Sequence, residues 1–304
     1  MTADFAISYA ALCVAQGVTV ACPAPRRFPV LRRLASRWWA AIPLVAIVGT
    51  VLGIGAASET ADVLTYLALV TTPPLAAIAV AYAARGGRAP LALLVIPAMA
   101  AAWALQESLL GEIATLALVA AACVTLATLL AAVAPEAWLK AGLLVMAVAD
   151  TYLVADDLLQ QPNAVLNAAA PAGGLPQLQR VELGSAVMGY GDVFAAALLG
   201  ALLAARPTRQ RAGALLTAAL AIAFGSLFFA VDELPATVPV AGALLISEAL
   251  DRRRRKLAER DGAAEDHRLV RLHMTLLLRR PREGGVARAP VRRAHRVAPV
   301  RPSP

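Results

Sequence analysis

Long runs of apolar residues alternate with short polar connections along most of the chain. Most runs approach the roughly 20 residues that a helix needs to cross the hydrocarbon core of a bilayer. Nine spans are predicted, at 4–22, 38–57, 61–84, 91–106, 113–134, 137–155, 185–205, 212–231 and 236–250. Prolines interrupt the third and fourth, which neighbouring helices in a bilayer tolerate. The pattern therefore predicts an all-α polytopic membrane protein.

Composition agrees with this class and excludes an ordinary soluble domain, since 60% of the 304 residues are hydrophobic and the mean hydropathy is +0.67. Cys13, Cys22 and Cys123 lie far apart, within or beside apolar spans, and lack disulfide or metal-ligand spacing. We therefore predict no metal and no cofactor. The bias towards Ala and Arg is typical of a high-GC bacterium, so we expect a multi-pass protein of the inner (plasma) membrane.

The charges of the connections alternate in sign. One set is basic: Arg26, Arg27, Arg32, Arg33, Arg37, Arg85, Arg88, Lys140, Arg206, Arg209, Arg211 and 252–256. The other set is acidic, and Arg180 is its exception: Glu59, Asp62, Glu107, Glu112, Asp156, Asp157, Asp232 and Glu233. Because basic loops stay cytoplasmic, this alternation predicts an outside N-terminus, a cytoplasmic C-terminus and an odd number of spans.

The C-terminal tail, 252–304, carries 16 Lys and Arg against five Asp and Glu. We expect its residues 268–280 to form an amphipathic helix on the cytoplasmic leaflet that contacts anionic lipid. The Pro- and Arg-rich run after Pro281 is predicted to be disordered. No nucleic acid is expected as a partner, and the oligomeric state is left open.

Two acidic side chains stand inside apolar spans on consecutive predicted helices. Asp150 lies near the end of span six, and Asp192 lies about two turns inside span seven, within Gly189-Tyr190-Gly191-Asp192. A carboxylate within the bilayer costs roughly 2.5–3.5 kcal/mol on insertion scales, so a partner or a task is expected for it. The topology puts both acids on the order of 10 Å below the outer surface. Asp156 and Asp157 fall at the membrane boundary and are predicted to be solvated loop charges.

A pair of carboxyl groups at one depth matches aspartyl-protease chemistry. Like charges a few ångströms apart cannot both ionise, so the two acids would share one proton. The ionised carboxylate would activate a water as general base, and the protonated one would donate to the scissile carbonyl. Because the pair titrates as a unit, the proton is assigned to neither residue.

These residues resemble the intramembrane proteases of the presenilin and signal peptide peptidase family, through the Gly-x-Gly-Asp motif at 189–192. The family's other catalytic Asp, on the preceding helix, usually follows a Tyr, where this chain has Ala149 before Asp150. The family's Pro-Ala-Leu element resembles 235–237, with Thr237 in place of Leu. The resemblance covers about 137–250 and implies 135–251 as the catalytic helices. The span pattern and the charges predict N-terminal helices at 1–134 and a basic tail at 252–304.

The resemblance implies roles for eight residues. It implies that Asp150 and Asp192 are catalytic. It also implies that six residues bind substrate: Gly189, Tyr190, Gly191, Leu234, Pro235 and Ala236. The cytoplasmic C-terminus resembles the signal peptide peptidase arrangement. The expected substrates are therefore transmembrane helices with a cytoplasmic N-terminus, such as signal-peptide remnants or type II anchors. The outer connection 156–184, with one short helix near 164–170, is expected to gate their entry.

Two other interpretations stay open. The chain also resembles prepilin peptidases, through Gly191-Asp192-Val193 and through Asp156 ahead of Pro162-Asn163. It departs from that family in two ways: Phe194 replaces the Lys of the motif, and 156–184 contains too many Pro and Gly residues to form the additional spans. A transporter or a membrane scaffold could instead use the buried acids as ion sites or as packing contacts.

Overall fold

The computed structural model describes residues 3–25, 28–57, 59–229 and 234–278, and most of these are helical. The helices, in chain order, are α1 Ala3–Ala21, α2 Ile42–Ala56, α3 Glu59–Ile78, α4 Val95–Ala104, α5 Leu109–Val133, α6 Glu136–Ala155, α7 Gln160–Ala168, α8 Tyr190–Leu203, α9 Pro207–Gly225 and α10 Thr237–Leu278. A hairpin of β1 (Arg180–Leu183) and β2 (Ala186–Gly189) comes directly before α8.

Six helical segments in the described ranges are long and apolar enough to cross a membrane: Ala3–Ala21, Arg37–Ala56, Glu59–Ala83, Leu109–Val133, Glu136–Ala155 and Pro207–Phe228. The apolar helices Ala89–Ala104 and Tyr190–Leu203 are shorter. Large aliphatic side chains on several of these helices are 65–73% exposed: Val45, Leu52, Val70, Val148 and Leu215. Such surfaces are typical of lipid-facing helices. The predicted helical membrane fold is confirmed, and the count of nine spans stays a prediction.

Close helix packing surrounds the centre of Met1–Asp251, the larger of two compact units. Helix α5 packs against α3, α4 and α8, and α1 packs against α8 and α9. A second apolar cluster joins α6, α8 and α10 through Leu143, Met146, Leu199 and Leu244. Glycine permits a close approach of α8 and α1, because a Cβ at Gly200 of α8 would collide with the Val20 carbonyl of α1.

Two polar clusters lie where α9 begins. In the first, Gln210 accepts hydrogen bonds from Arg85 and donates to the carbonyls of Val20, Pro23 and Gly200; we call this group the Gln210 knot. The second is a network of ion pairs that joins α6, α9 and α10: Lys140–Glu136, Lys140–Glu248, Arg209–Glu248, Arg209–Asp251 and Arg206–Asp251. Four basic residues from three predicted cytoplasmic connections or their edges, Arg85, Lys140, Arg206 and Arg209, therefore meet at one end of the bundle.

The start of predicted span seven is wrong. Residues 186–189 form β2 rather than helix, in antiparallel register with β1, and α8 begins only at Tyr190. The hairpin turn is possible because Gly184 takes a positive φ of 58°, which side-chain-bearing residues rarely adopt. Val181 and Leu183 alternate with more exposed residues and bury one face of the sheet. Gly189 and Gly191 are poor helix formers, so the helix does not extend back into 185–189.

The connection between α6 and α8 contains the predicted short helix, shifted to Gln160–Ala168 from the expected 164–170. The hairpin that follows it is an addition to the sequence prediction. Residues 268–278 of the predicted amphipathic segment are helical, as part of α10. The rest of that segment and the predicted disordered run lie outside the described residues.

Candidate functional site

Asp192 lies in the first turn of α8, at the third helical position, not two turns inside a helix as predicted. Its Oδ2 atom accepts a hydrogen bond of 3.2 Å from the backbone N–H of Gly189, the residue that precedes the helix. Acidic residues are stabilised there because the first N–H groups of a helix have no partner within it. The β2 strand explains the shift, since it occupies the residues that were expected to form the preceding turns. The half-buried carboxyl group is therefore fixed at the junction of hairpin and helix.

Asp150 lies in the second half of α6 and is also half-buried. Its Oδ2 atom accepts a hydrogen bond of 2.6 Å from the hydroxyl of Thr237, the first residue of α10. Thr237 is 2% exposed, so this bond is shielded from water. The residue that departs from the expected Leu thus contacts the carboxyl group of Asp150 directly.

The carboxyl groups of Asp150 and Asp192 interact electrostatically, and their helices α6 and α8 pack against each other. The negative charge of one ionised carboxylate disfavours ionisation of the other. The structure therefore brings together the two acids that the sequence singled out. Two such carboxyl groups can act together as a general acid and a general base.

Helices α6 and α10 are antiparallel and are joined at two levels. Asp150 and Thr237 join them at one level, and Lys140 and Glu248 join them at the other with an Nζ–Oε1 distance of 2.9 Å. Ten residues separate the two contacts along α6 and eleven along α10, which is about 15 Å in each helix. The carboxyl pair is consequently about three turns away from the ion-pair network, near the opposite end of the bundle.

The two glycines of the motif have different surroundings. A Cβ at Gly189 would stand 3.2 Å from Asp192 Oδ2, so Gly189 leaves space for the carboxylate. A Cβ at Gly191 would meet nothing within 4 Å, so open space adjoins the helix one residue before Asp192. Tyr190 is half-buried beside Thr72, and its carbonyl accepts a weak hydrogen bond from Cys123. Tyr190 therefore packs α8 onto α3 and α5, and a substrate contact for it stays a prediction.

The segment Leu234–Ala236 leads into α10 beside Asp150. Pro235 is buried and its carbonyl accepts the Val238 N–H at 3.2 Å, while Leu234 and Ala236 are partly exposed. The Ala236 carbonyl accepts a hydrogen bond of 3.1 Å from the Gln16 amide of α1. The segment is thus held from one side by α1 and continues into the residue that contacts Asp150.

Helix α1 contributes a side chain that was not predicted to belong to the site. Gln16 is 2% exposed and donates to the Ala236 carbonyl beside Thr237. The available signal was a Gln in the middle of an apolar span, because buried polar groups in membrane helices are costly and therefore informative. Sequence reasoning had no means to place α1 beside α8 and α10.

Asp156 and Asp157 lie away from the carboxyl pair. Asp156 follows the last turn of α6 and is exposed, and an oxygen of Asp157 accepts a hydrogen bond from Gln160. No cluster of three or more His, Cys, Asp or Glu side chains suited to a metal ion occurs within the described ranges. No protein-family model, characterised protein or solved structure matches the chain.

Proposed function

We propose that the protein is an intramembrane aspartyl protease that hydrolyses peptide bonds within transmembrane helices. The observation that carries the proposal is the interaction between the carboxyl groups of Asp150 and Asp192 inside an apolar helical bundle. Thr237 fixes one carboxyl group and the Gly189 N–H fixes the other, so both have defined positions. The resemblance of 189–192 and 235–237 to the presenilin and signal peptide peptidase family supports the same function.

The reaction would use both acids in two steps. The ionised carboxylate removes a proton from water, and the water oxygen bonds to the scissile carbonyl carbon while the other carboxyl protonates the carbonyl oxygen. The resulting gem-diol then collapses: one of its hydroxyl groups returns its proton to the carboxylate, the C–N bond breaks, and the protonated carboxyl group of the pair protonates the departing nitrogen. The products are a new carboxyl terminus and a new amino terminus. One water molecule is consumed and the pair is restored.

A helical substrate must unwind before its peptide carbonyl can reach a carboxyl pair, because its carbonyls are engaged in helical hydrogen bonds. Two features suit an extended segment at this position. The β2 strand ends three residues before Asp192, and the space beside Gly191 admits a close approach of backbone. We place the scissile bond beside the first turn of α8.

The orientation of the bundle determines which helices would be substrates. Arg85, Lys140, Arg206 and Arg209 meet at the end of the bundle away from the carboxyl pair, and the positive-inside rule makes that end cytoplasmic. With nine spans the N-terminus is outside, and the site lies towards the outer face. We therefore propose substrates with a cytoplasmic N-terminus, signal-peptide remnants and type II anchors among them, in a bacterial inner membrane. The connection 156–184 would gate their entry.

Prepilin-peptidase-like chemistry would pair Asp192 with Asp156, which is the exposed residue at the end of α6. The interaction of Asp192 with Asp150 favours the other pairing. A proton-coupled carrier or a scaffold would also accommodate two buried acids. Cleavage separates these classes, since a carrier or scaffold has no hydrolytic product.

The test uses the purified full-length protein in lipid vesicles with a synthetic single-span helix as substrate. Wild-type protein should produce two fragments, and mass spectrometry in ¹⁸O-labelled water should show one labelled oxygen in the new carboxyl terminus. Asp150→Asn and Asp192→Asn should each abolish product. Asp156→Asn is the matched control, because it changes an acid at the exposed end of the same helix, and it should cleave as wild type does. Cleavage retained in Asp192→Asn would contradict the proposal.

A further inference from the structure

One polar side chain of α1 reaches a segment of the candidate site. Gln16 lies in the second half of the helix and bonds to the segment that begins α10. Tyr9, about two turns earlier on the same face, donates its hydroxyl to the Ala221 carbonyl of α9 at 3.3 Å. Helix α1 also packs against α8 and α9. Gln16 therefore links the N-terminal part of the chain to the segment that leads to Thr237 and Asp150.

A short chain of contacts connects Gln16 to Asp150. The Gln16 Nε2 amide donates to the Ala236 carbonyl at 3.1 Å, and the next residue, Thr237, donates its hydroxyl to Asp150 Oδ2 at 2.6 Å. The carbonyl of Ala236 belongs to the peptide unit that includes the Thr237 nitrogen. A displacement of this peptide therefore moves Thr237 and the hydrogen bond that fixes the Asp150 carboxyl group.

The other polar atom of Gln16 argues against a role in packing alone. Its Oε1 atom is buried and has no hydrogen-bond partner among the described residues. A buried polar atom without a partner destabilises the folded state, whereas Leu or Met would fill a similar volume without that cost. The Nε2 amide of Gln16, in contrast, has a specific partner, the Ala236 carbonyl. A residue that costs stability but holds a site segment is typical of a positioning role.

From these contacts we propose that Gln16 is a positioning residue for the active site, acting on Asp150 through the Ala236 carbonyl and the Thr237 hydroxyl. The proposal rests on the proposed protease function for its kinetic readout. It extends the catalytic unit beyond α6, α8 and α10 to the first helix of the chain. Gln16 touches neither substrate nor water in this role, so its removal should lower kcat and leave KM nearly unchanged.

The kinetic test compares Gln16→Met with Thr19→Val in vesicles. Thr19 is equally buried on α1, but its hydroxyl bonds to the Ala15 carbonyl of its own helix, so its removal controls for loss of a buried polar group. Gln16→Met should lower kcat roughly 3- to 10-fold, the effect of one neutral hydrogen bond, with KM within about twofold. Its thermal stability should equal or exceed that of wild type. A structural role alone would instead lower stability and activity together.

A conservative variant adds a pH-dependent readout. In Gln16→Glu the introduced carboxyl group can donate to the Ala236 carbonyl only while it is protonated. Its kcat, relative to that of wild type at the same pH, should therefore rise towards wild type as the pH falls. A ratio that stays constant across the pH range would argue against the hydrogen bond to Ala236.

An infrared measurement distinguishes failure of this proposal from failure of the protease proposal. The carboxyl or carboxylate stretching band that disappears in Asp150→Asn reports the surroundings of Asp150 without any substrate. Gln16→Met should shift this band, as Thr237→Val does, and Thr19→Val should leave it unchanged. If wild-type protein cleaves and Gln16→Met matches Thr19→Val in kcat and in the infrared band, the positioning role is wrong and the protease proposal stands. If wild-type protein does not cleave, the protease proposal fails and the band alone decides the positioning role.

Discussion

Replacement of Thr237 by Val removes the hydroxyl group that contacts Asp150 and preserves the shape of the side chain. The lost bond is 2.6 Å long and 2% of Thr237 is exposed, so water does not readily replace the donor. When Asp150 is the ionised member of the pair, a hydrogen bond to it contributes about 1.5–3 kcal/mol. If that stabilisation is used in the transition state, kcat falls roughly 10- to 150-fold. KM should change little, because the hydroxyl group faces Asp150 rather than the substrate.

The assay is cleavage of a single-span helix in vesicles, with kcat and KM measured for Thr237→Val and for Thr237→Ser. The Ser variant keeps the hydroxyl and should recover most of the lost activity. Thermal unfolding of both variants separates a loss of site geometry from a loss of folded protein. Wild-type kcat in Thr237→Val, or equal losses in the Val and Ser variants, would refute the role assigned to this bond.

Three further predictions concern the glycines, the pH profile and the opposite end of the bundle. Gly191→Ala should fold as wild type and raise KM, because its methyl group enters open space at the proposed substrate position. Gly189→Ala should instead lower kcat, because its methyl group displaces the Asp192 carboxyl group. Steady-state kinetics distinguish the two variants, and equal effects on kcat and KM would count against the proposed geometry. Cleavage rate should follow a bell-shaped pH profile, since activity needs one ionised and one protonated carboxyl, and a profile flat over the acidic and neutral range would contradict a shared proton. Gln210→Leu should lower the free energy of unfolding by about 2–4 kcal/mol, because the buried polar groups that Gln210 contacts in the Gln210 knot then lose their partner. An unchanged unfolding midpoint in detergent would show that the protein does not need these hydrogen bonds for stability.

The apolar pattern was sufficient to predict the long helices. Helices α1, α5 and α6 begin and end within a few residues of the predicted spans, because length and hydropathy determine a membrane helix almost locally. Asp150 and Asp192 could be singled out for a related reason, since an acid stands out against an apolar background. Their mutual interaction was a hypothesis until the packing of α6 on α8 was known.

Features that depend on tertiary contacts were not predictable in the same way. The hairpin at 180–189 has only four residues in each strand and follows a Pro- and Gly-rich segment, so its alternation of buried and exposed positions was too short to distinguish it from the start of a span. Glu248 of α10 forms ion pairs with Lys140 of α6 and Arg209 of α9. Gln16 contacts a residue 220 positions later in the chain. Local sequence contains no signal for such a partner.

Binding of a transition-state mimic tests most directly the claim that Asp150 and Asp192 act as one catalytic pair. A peptide with a hydroxyethylene group in place of the scissile bond presents a tetrahedral hydroxyl to both carboxyl groups, and transition-state analogues bind far more tightly than substrates. Wild-type protein and Asp156→Asn should bind such a peptide with the same Kd, and Asp150→Asn and Asp192→Asn should each weaken binding by at least about 100-fold. Equal affinity in all four proteins, or no binding by the wild type, would contradict a catalytic pair at this site.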